Sequence, residues 1–363
     1  MSTVFVTNIP APYREKIHEI VSEELCSEYS VVFCAPIEPN REWKFEFGGY
    51  RHIFLESKSI QFNGRTIYLW SDVLRVLQKE DPAIVILSGF SFPMITAYLW
   101  AKARGRKTIT FSDATLSCEK DLSLVHQLLR KATYPRMDAC IGASLKTIQM
   151  FESYGAERER CFQSHLCADN ESYTENYIAP GDRPYHIILC GQFISRKLFD
   201  FSLDVISRMS LVKKNLKVKL VGDGPLRDEI LSRLETMAVD YCYRGFIDPA
   251  RLAAEYASAK LLFFPTRTDP WGVVANEACA AGTPVITCSN AGAAHELVKD
   301  DVNGYVLPLD VELWARKAIG LLEDTRRLEQ FSRNACEEVA PYNYENAARG
   351  IIDSIRFASG ESN

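Results

Sequence analysis

No apolar run in this chain reaches the roughly 18 residues that a membrane-spanning helix needs, so any meeting with a membrane is expected at its surface. The opening stretch "MSTVFVTNIPAPYREK" lacks the basic-then-apolar order of a secretory signal. An excess of positive charge is missing too: the formal net charge is -5, which leaves no electrostatic footprint for nucleic acid. The eleven cysteines contain no C-x-x-C pair. Several sit inside apolar runs such as "VVFCA" and "HIILCG", where a thiol behaves as a small hydrophobe. Together these absences point to a cytoplasmic chain with buried, reduced thiols. No His/Asp spacing suggests a metal site, and no repeat of solenoid length is present.

What is present is ordinary globular composition, 47% hydrophobic and 25% charged, which excludes disorder. A length of 363 residues exceeds one typical core and predicts two domains. In the first half the strand candidates are "VFVTN", "SVVFCA", "RHIFL", "TIYLW", "AIVILS", "KTITF" and "DACIGAS". Amphipathic segments such as "REKIHEIVSEEL" and "FPMITAYLWAKAR" separate many of them. Near-continuous apolar strands alternating with helices are the pattern of a parallel sheet covered on both faces.

The rhythm breaks in the polar, Pro- and Gly-containing stretch 171–184, which reads as a linker. It restarts with "HIILCGQF", "LKVKLVGDG", "YCYRGF", "KLLFFPT", "TPVIT" and "GYVLP". The expected organisation is therefore two doubly wound α/β domains, 1–170 and 185–341, with a cleft between them. The last amphipathic segment, 342–358, has no strand of its own to serve and is expected to pack back on the first domain.

Three stretches of the second half carry chemistry. In "CGQFISRKLFD" a buried strand runs out and a loop bears Arg196 and Lys197. Ligands bind at such strand ends, and two adjacent cations suit a phosphate. A plain solvated loop explains the same residues. "LVGDGPLRDEI" places Gly222 and Gly224 at another strand end, but Arg227 stands where a dinucleotide fingerprint needs its third glycine. What remains is a tight turn.

The third stretch is "TDPWGVVANEACAAGTPVI". Here Gly272 allows close backbone approach, and a helix beginning near Val273 or Val274 offers unpaired N–H groups and the positive end of its dipole. Glu277 sits one turn in, where its carboxylate can accept two hydrogen bonds from a vicinal diol. An acid placed there merely to suit the dipole accounts for Glu277 but not for the whole arrangement.

This last stretch resembles the signature of the GT-B retaining glycosyltransferases of family 4 (glycosyl transferases group 1), E-P-F-G-x-x-x-x-E-A-x-A-x-G-x-P-V. Its companions follow in order: "LVGDGP" is similar to the family's G-x-G-P turn, "YRGF" to its nucleotide-side segment, and "NAGAAHELVKDDVNGYVLP" to its G-G-x-x-E run. "NYENAARGI" is similar to the helix that returns to the first domain. The resemblance spans 185–350 and is looser before it, where it rests on "NIPAPYRE" and "DACIGAS".

The resemblance implies a GT-B fold and sugar transfer, with retention and without a metal, from a UDP- or GDP-linked donor that is a substrate rather than a cofactor. It implies that Lys197, helped by Arg196, holds the diphosphate, and that Gly272, Val273 and Val274 offer N–H groups to phosphate and sugar. Glu277 would bind ribose, Asp269 the transferred sugar, and Arg244 and Phe246 would lie by the base, near the Gly222 turn. Three positions depart from the family pattern. Asp269 replaces the usual Glu, Gln192 stands where many members have Arg, and the first-domain His is replaced by "TITFSDATLS", whose Asp113 is the candidate for orienting acceptor or sugar. A helix cap explains Asp113 equally. The acceptor would be a glycan, glycolipid or small molecule, with cell-envelope synthesis as the expected setting.

Two other readings keep the fold: a nucleotide-sugar epimerase or hydrolase, and a two-domain binding protein without catalysis. The first wants acids and a base from both domains, and only Asp113 is available in the first. The second leaves Lys197 and Glu277 unexplained. Finally, "REWKFEFGGYR" sets Trp43, Phe45 and Phe47 beside Arg41, Lys44 and Arg51. That mixture suits a lipid interface, but the alternation of aromatic and polar positions reads first as a half-buried edge strand.

Overall fold

The computed structural model describes residues 1–361 except 27, 39–46, 63–64, 120–121 and 238. It divides into two compact units, Met1–Leu166 with Tyr344–Asn363, and Cys167–Asn343.

The first unit contains β1 (Thr3–Thr7), β2 (Tyr29–Phe33), β3 (Arg51–Phe54), β4 (Ser57–Phe62), β5 (Arg65–Ser71), β6 (Ile84–Leu87), β7 (Lys107–Ser112), β8 (Ala139–Gly142) and β9 (Cys161–Gln163). Seven of them form a parallel sheet in the order β3-β2-β1-β6-β7-β8-β9. The chain builds outward from β1 in one direction, then resumes at β6 on β1's other side, so the strand order reverses between β1 and β6. Open α/β sheets bind ligands at such a reversal, outside the carboxyl ends of the strands. Strands such as Ile84–Leu87 are buried at every position, as continuous β-branched runs covered on both faces require.

"TIYLW" departs from expectation. It does not join the parallel sheet but pairs antiparallel with Ser57–Phe62 in a separate two-stranded sheet. Only Tyr68 of this run is buried, while Ile67, Leu69 and Trp70 are exposed. A hairpin partner so close in sequence satisfies the backbone locally, so an apolar run need not reach the main sheet. Of the aromatic stretch at 41–51, Arg41, Trp43, Lys44 and Phe45 lie outside the described residues. Phe47 stacks on His52 at 4.2 Å, and Arg51 pairs with Glu80 at 2.7 Å.

The helix Tyr344–Ser359 belongs to the first unit. A Cβ on its Gly350 would lie 1.8 Å from the Gln163 carbonyl oxygen, so only glycine permits this helix-on-strand approach. Arg356 Nη2 donates to Glu24 at 2.7 Å on the first long helix, Pro12–Glu24.

The second unit contains β10 (Tyr185–Cys190), β11 (Lys217–Val221), β12 (Asp240–Tyr243), β13 (Ala259–Phe264), β14 (Val285–Thr287) and β15 (Gly304–Val306). These are the six strands read from the sequence. All are parallel, in the order β12-β11-β10-β13-β14-β15, and here the reversal falls between β10 and β13. Trp314 anchors the core, fully buried and edge-on to Phe201 and Phe263 at 5.1 and 5.7 Å, with its indole N–H donating to Pro308 O at 2.8 Å. Truncating such a ring costs about 3–5 kcal/mol.

The stretch read as a linker, 171–184, holds a short helix, Asn170–Thr174, and Arg183, and is fixed within this unit. Arg183 is buried, and its guanidinium donates to Ile178 O, Ala259 O, Ala281 O and Thr283 Oγ1 at 2.7–3.2 Å. Burial lowers its pKa to about 10, so it stays charged, held by carbonyl dipoles. Among the described residues no helix is long and apolar enough to cross a membrane.

Candidate functional site

The site forms beyond the carboxyl ends of the neighbouring strands β10 and β13. The loops beyond them are joined by backbone bonds: Arg196 O accepts from Arg267 N at 2.8 Å and from Thr266 Oγ1 at 3.0 Å. Ser195–Lys197 makes a single 3₁₀ turn, and Leu198 at φ +47° then starts the helix Phe199–Val212. That sharp turn presents Arg196 and Lys197 to the β13 loop. The β11 loop packs against the β10 loop so tightly that a Cβ on Gly222, at φ +121°, would lie 2.0 Å from Gly191 O. Gly222 N donates in turn to Gly245 O at 2.7 Å, which ties in the β12 end.

Asp269 is the hub. Its Oδ2 accepts from Lys197 Nζ at 2.6 Å and Arg196 Nη1 at 3.0 Å. Only 7% of the residue is exposed, so burial alone would push its pKa up. The charges and hydrogen bonds of Lys197 and Arg196 outweigh burial and hold it below the usual carboxylate value. Its backbone is pinned by Gly292 N, which donates to Asp269 O at 2.9 Å. A Cβ on Gly292 would meet Pro270 O at 1.8 Å.

Lys197 Nζ also lies 4.9 Å above the Phe264 ring. Gly272 also adjoins that ring, since a Cβ there would sit 2.3 Å from it. Gly272, at φ +98°, opens the helix Val273–Ala280, so the amides of Val273 and Val274 lie in its first turn without a preceding turn of carbonyls.

Glu277, eight positions after Asp269, meets the opposite electrostatic fate. Its Oε2 accepts from Tyr256 OH at 2.7 Å. Burial raises its pKa, against the lowering effect of the Tyr256 bond, the Lys197 charge and Tyr173. Because Lys197 acts on both carboxylates, the two residues share one electrostatic neighbourhood. Cys190, at the end of β10, is pushed up to about 12 by burial and by Glu277.

Of the expected residues, then, the structure gathers Arg196, Lys197, Asp269, Gly272, Val273, Val274 and Glu277, with Gly222 supporting the β10 loop. Lys197 is not free but bonded to Asp269. Arg244 is held through Glu255, at 3.2 Å, in a network with buried Lys219, whose Nζ lies 2.6 Å from Glu255 Oε2. Phe246 is exposed beyond it. Asp113 lies in the first unit, exposed in the loop after β7, where it lines a cavity described below. Tyr256 was not anticipated. It precedes β13 in the helix Pro249–Ala257, and its meeting with Glu277 depends on tertiary packing that no local spacing reveals. Among the described residues no three His, Cys, Asp or Glu side chains gather as a metal site.

The fold is that of the GT-B class. The structure of Anabaena HepE in complex with UDP and glucose superposes with a TM-score of 0.74 at 15% identity, covering 98% of this chain and 99% of that one. Residues 184–324, the span carrying the site, match the family model Glycosyl transferases group 1. An uncharacterized glycosyltransferase of Methanocaldococcus jannaschii is 28% identical over 176 residues, 47% of this chain and 45% of that protein. A D-inositol 3-phosphate glycosyltransferase of Nocardia farcinica is 31% identical over 235 residues, 59% of this chain and 51% of that protein. The chain thus spans about half the length of these curated relatives. The fold is thus shared along the whole chain, and the family match covers the span that carries the site.

Proposed function

We propose that this chain transfers a sugar, with retention of anomeric configuration and without a metal, from a nucleoside-diphosphate donor to an acceptor hydroxyl. The observation that carries this reading is the cluster of Arg196, Lys197 and Asp269 beside the open helix N-terminus at Gly272, in the reversal between β10 and β13. Lys197 and Arg196 retain unused N–H donors beyond those given to Asp269. They and the amides of Val273 and Val274 suit the diphosphate. Asp269 fixes both cations through Oδ2, while its Oδ1, which accepts one long bond from Trp271 N at 3.4 Å, can accept a sugar hydroxyl as well. Glu277, oriented by Tyr256, suits the two ribose hydroxyls, and we assign the base to the segment of Arg244 and Phe246, which flank Gly245.

In the reaction the bond between the anomeric carbon and the β-phosphate oxygen breaks, and its electron pair leaves with the phosphate. The acceptor oxygen bonds to the same carbon, and its proton passes to the leaving phosphate. Lys197, Arg196 and the helix N-terminus stabilise the charge growing there, so they bind the transition state more strongly than the ground state. The two-carboxylate hydrolase scheme does not apply in this reading, because Asp269 is ion-paired with two cations and Glu277 is used on the ribose, away from the bond that breaks.

UDP and glucose in HepE support a UDP-linked hexose, and the inositol phosphate named in the Nocardia relative supports a polyol acceptor. Envelope polysaccharide or glycolipid synthesis at the cytoplasmic face of a membrane is the setting we propose. Eleven free cysteines support a reducing compartment. Salt-sensitive flotation with anionic liposomes, lost in Trp43→Ala, tests the membrane contact.

The decisive assay incubates the full chain with UDP- and GDP-sugars, with and without polyol acceptors, and follows nucleotide release and product anomer by NMR. Acceptor-dependent release with retained configuration is expected. Release without acceptor would make the chain a hydrolase, and binding without turnover a binding protein.

A further inference from the structure

The first unit carries a cavity of about 360 Å³, within the size range of small-molecule sites. It opens at the reversal of the first sheet, between the carboxyl ends of β1 and β6, with β7 alongside. Ser88 Oγ donates to Thr7 Oγ1 at 2.7 Å and closes the gap between β1 and β6 beneath it. We propose that this cavity takes a polyhydroxylated molecule carrying a phosphate or carboxylate, with the anionic group held by Arg14. This inference rests on the transferase reading, in which that molecule is the acceptor.

Arg14 lies in the first turn of the helix Pro12–Glu24. Its guanidinium stands 4.2 Å over the Phe111 ring and 5.8 Å from the Tyr13 ring. Stacking fixes the plane of a guanidinium while leaving its N–H edges able to grip an oxyanion in two places. Among the described residues no ion pair involves Arg14, and the helix N-terminus beside it has no side-chain cap. Both features favour an anion arriving from solvent.

The other charged groups facing the cavity are committed or of the wrong sign. Arg130 is paired with Glu119 at 2.7 Å. Glu38 accepts from Tyr68 OH at 3.3 Å. His18 is fully buried on Tyr29 OH at 2.8 Å, and burial, together with the Arg14 charge, lowers its pKa to about 3, so it is neutral. Arg14 is therefore the cavity cation without a carboxylate partner among the described residues.

Asn8 supplies the second half of the argument. Its Oδ1 is buried with no hydrogen-bond partner, and it lines the same cavity. A buried acceptor without a donor is costly, and turning the amide into the cavity to meet a ligand hydroxyl would relieve that cost. Asp113, exposed on the β7 loop, faces the cavity as a second hydroxyl acceptor. The lining thus asks for one anion and at least one hydroxyl on the same molecule.

The test is calorimetry of the full chain with glucose 6-phosphate, glucuronate, neutral glucose and inorganic phosphate, with UDP titrated in parallel. The anionic sugars are expected to bind more tightly than glucose or phosphate alone. Arg14→Gln should weaken them about tenfold to a hundredfold, Arg14→Lys should recover part of the loss, and UDP binding should be unchanged in both. Flotation with phosphatidylinositol against phosphatidylcholine vesicles separates a lipid headgroup from a soluble anion. Equal binding of glucose and glucose 6-phosphate, or anion binding indifferent to Arg14→Gln, overturns the inference while UDP binding stays intact. Loss of UDP binding in the wild type would instead remove the transferase reading beneath it.

Discussion

Replacing Asp269 by Asn tests the hub of the second-unit site. The side chain of Lys197 is 12% exposed and that of Asp269 9%, so this pair is largely withdrawn from water, whereas Arg196 is 44% exposed. Removing one member of a buried pair strands the other, which costs about 3–5 kcal/mol. The half-exposed Arg196 arm adds at most about 1 kcal/mol. Asparagine keeps the shape and one acceptor oxygen, which places the expected loss near about 3 kcal/mol. For a unit the size of Cys167–Asn343 that is a fall in Tm of roughly 6–12 °C.

The pH dependence is equally constrained. The folded pKa of Asp269 lies below its ordinary 3.8, despite burial, because of the two cations. Its stabilisation is therefore complete above the unfolded value and is lost as pH falls through the folded one. Thermal unfolding of wild type and Asp269→Asn should show a constant gap above about pH 5 that narrows below about pH 4. A gap under 2 °C at pH 7, or one that persists unchanged into acid, would refute the buried-pair reasoning.

Glu277→Gln should behave oppositely. Its folded pKa is raised, chiefly by burial, so ionisation opposes folding above its unfolded value. The variant should gain Tm at pH 7, lose that gain below about pH 4, and bind nucleotide more weakly in the same calorimeter. Tyr256→Phe removes the 2.7 Å bond to Glu277 and should cost about 1–3 kcal/mol at pH 7, less on acidification, as read by urea titrations across pH. Arg183→Met takes the guanidinium donor from the Ile178 and Ala281 carbonyls and should lower the unfolding free energy of the second unit, read from guanidinium titrations, by about 3 kcal/mol. No change there would mean water replaces the guanidinium.

The sheets were legible because their strands are buried on both faces. Runs such as "IVIL" and "KLLFF" leave no polar alternation to confuse with a surface strand. β9 was missed because three residues, one of them glutamine, carry no pattern. "TIYLW" misled because apolar content marks a strand without saying which sheet receives it. At the site, the strand ends and small residues announced a ligand region, but not its wiring. Lys197 and Asp269 are 72 positions apart in sequence, and the cations' prior commitment to that carboxylate emerges only when two loops meet. Nothing within "NIPAPYRE" gives Arg14 a role, since its ring partner Phe111 arrives from β7.

The central claim is that Lys197 belongs to a nucleotide-diphosphate site. The most direct test is calorimetric titration of UDP, GDP, ADP and dTDP into wild type and Lys197→Ala. One nucleotide should bind, and the variant should bind it more weakly by about 1.5–3 kcal/mol, the scale of a charge-assisted contact. If no nucleotide binds the folded wild type, or if Lys197→Ala binds it equally well, the site is not what its geometry suggests, and a non-catalytic two-domain protein becomes the better account.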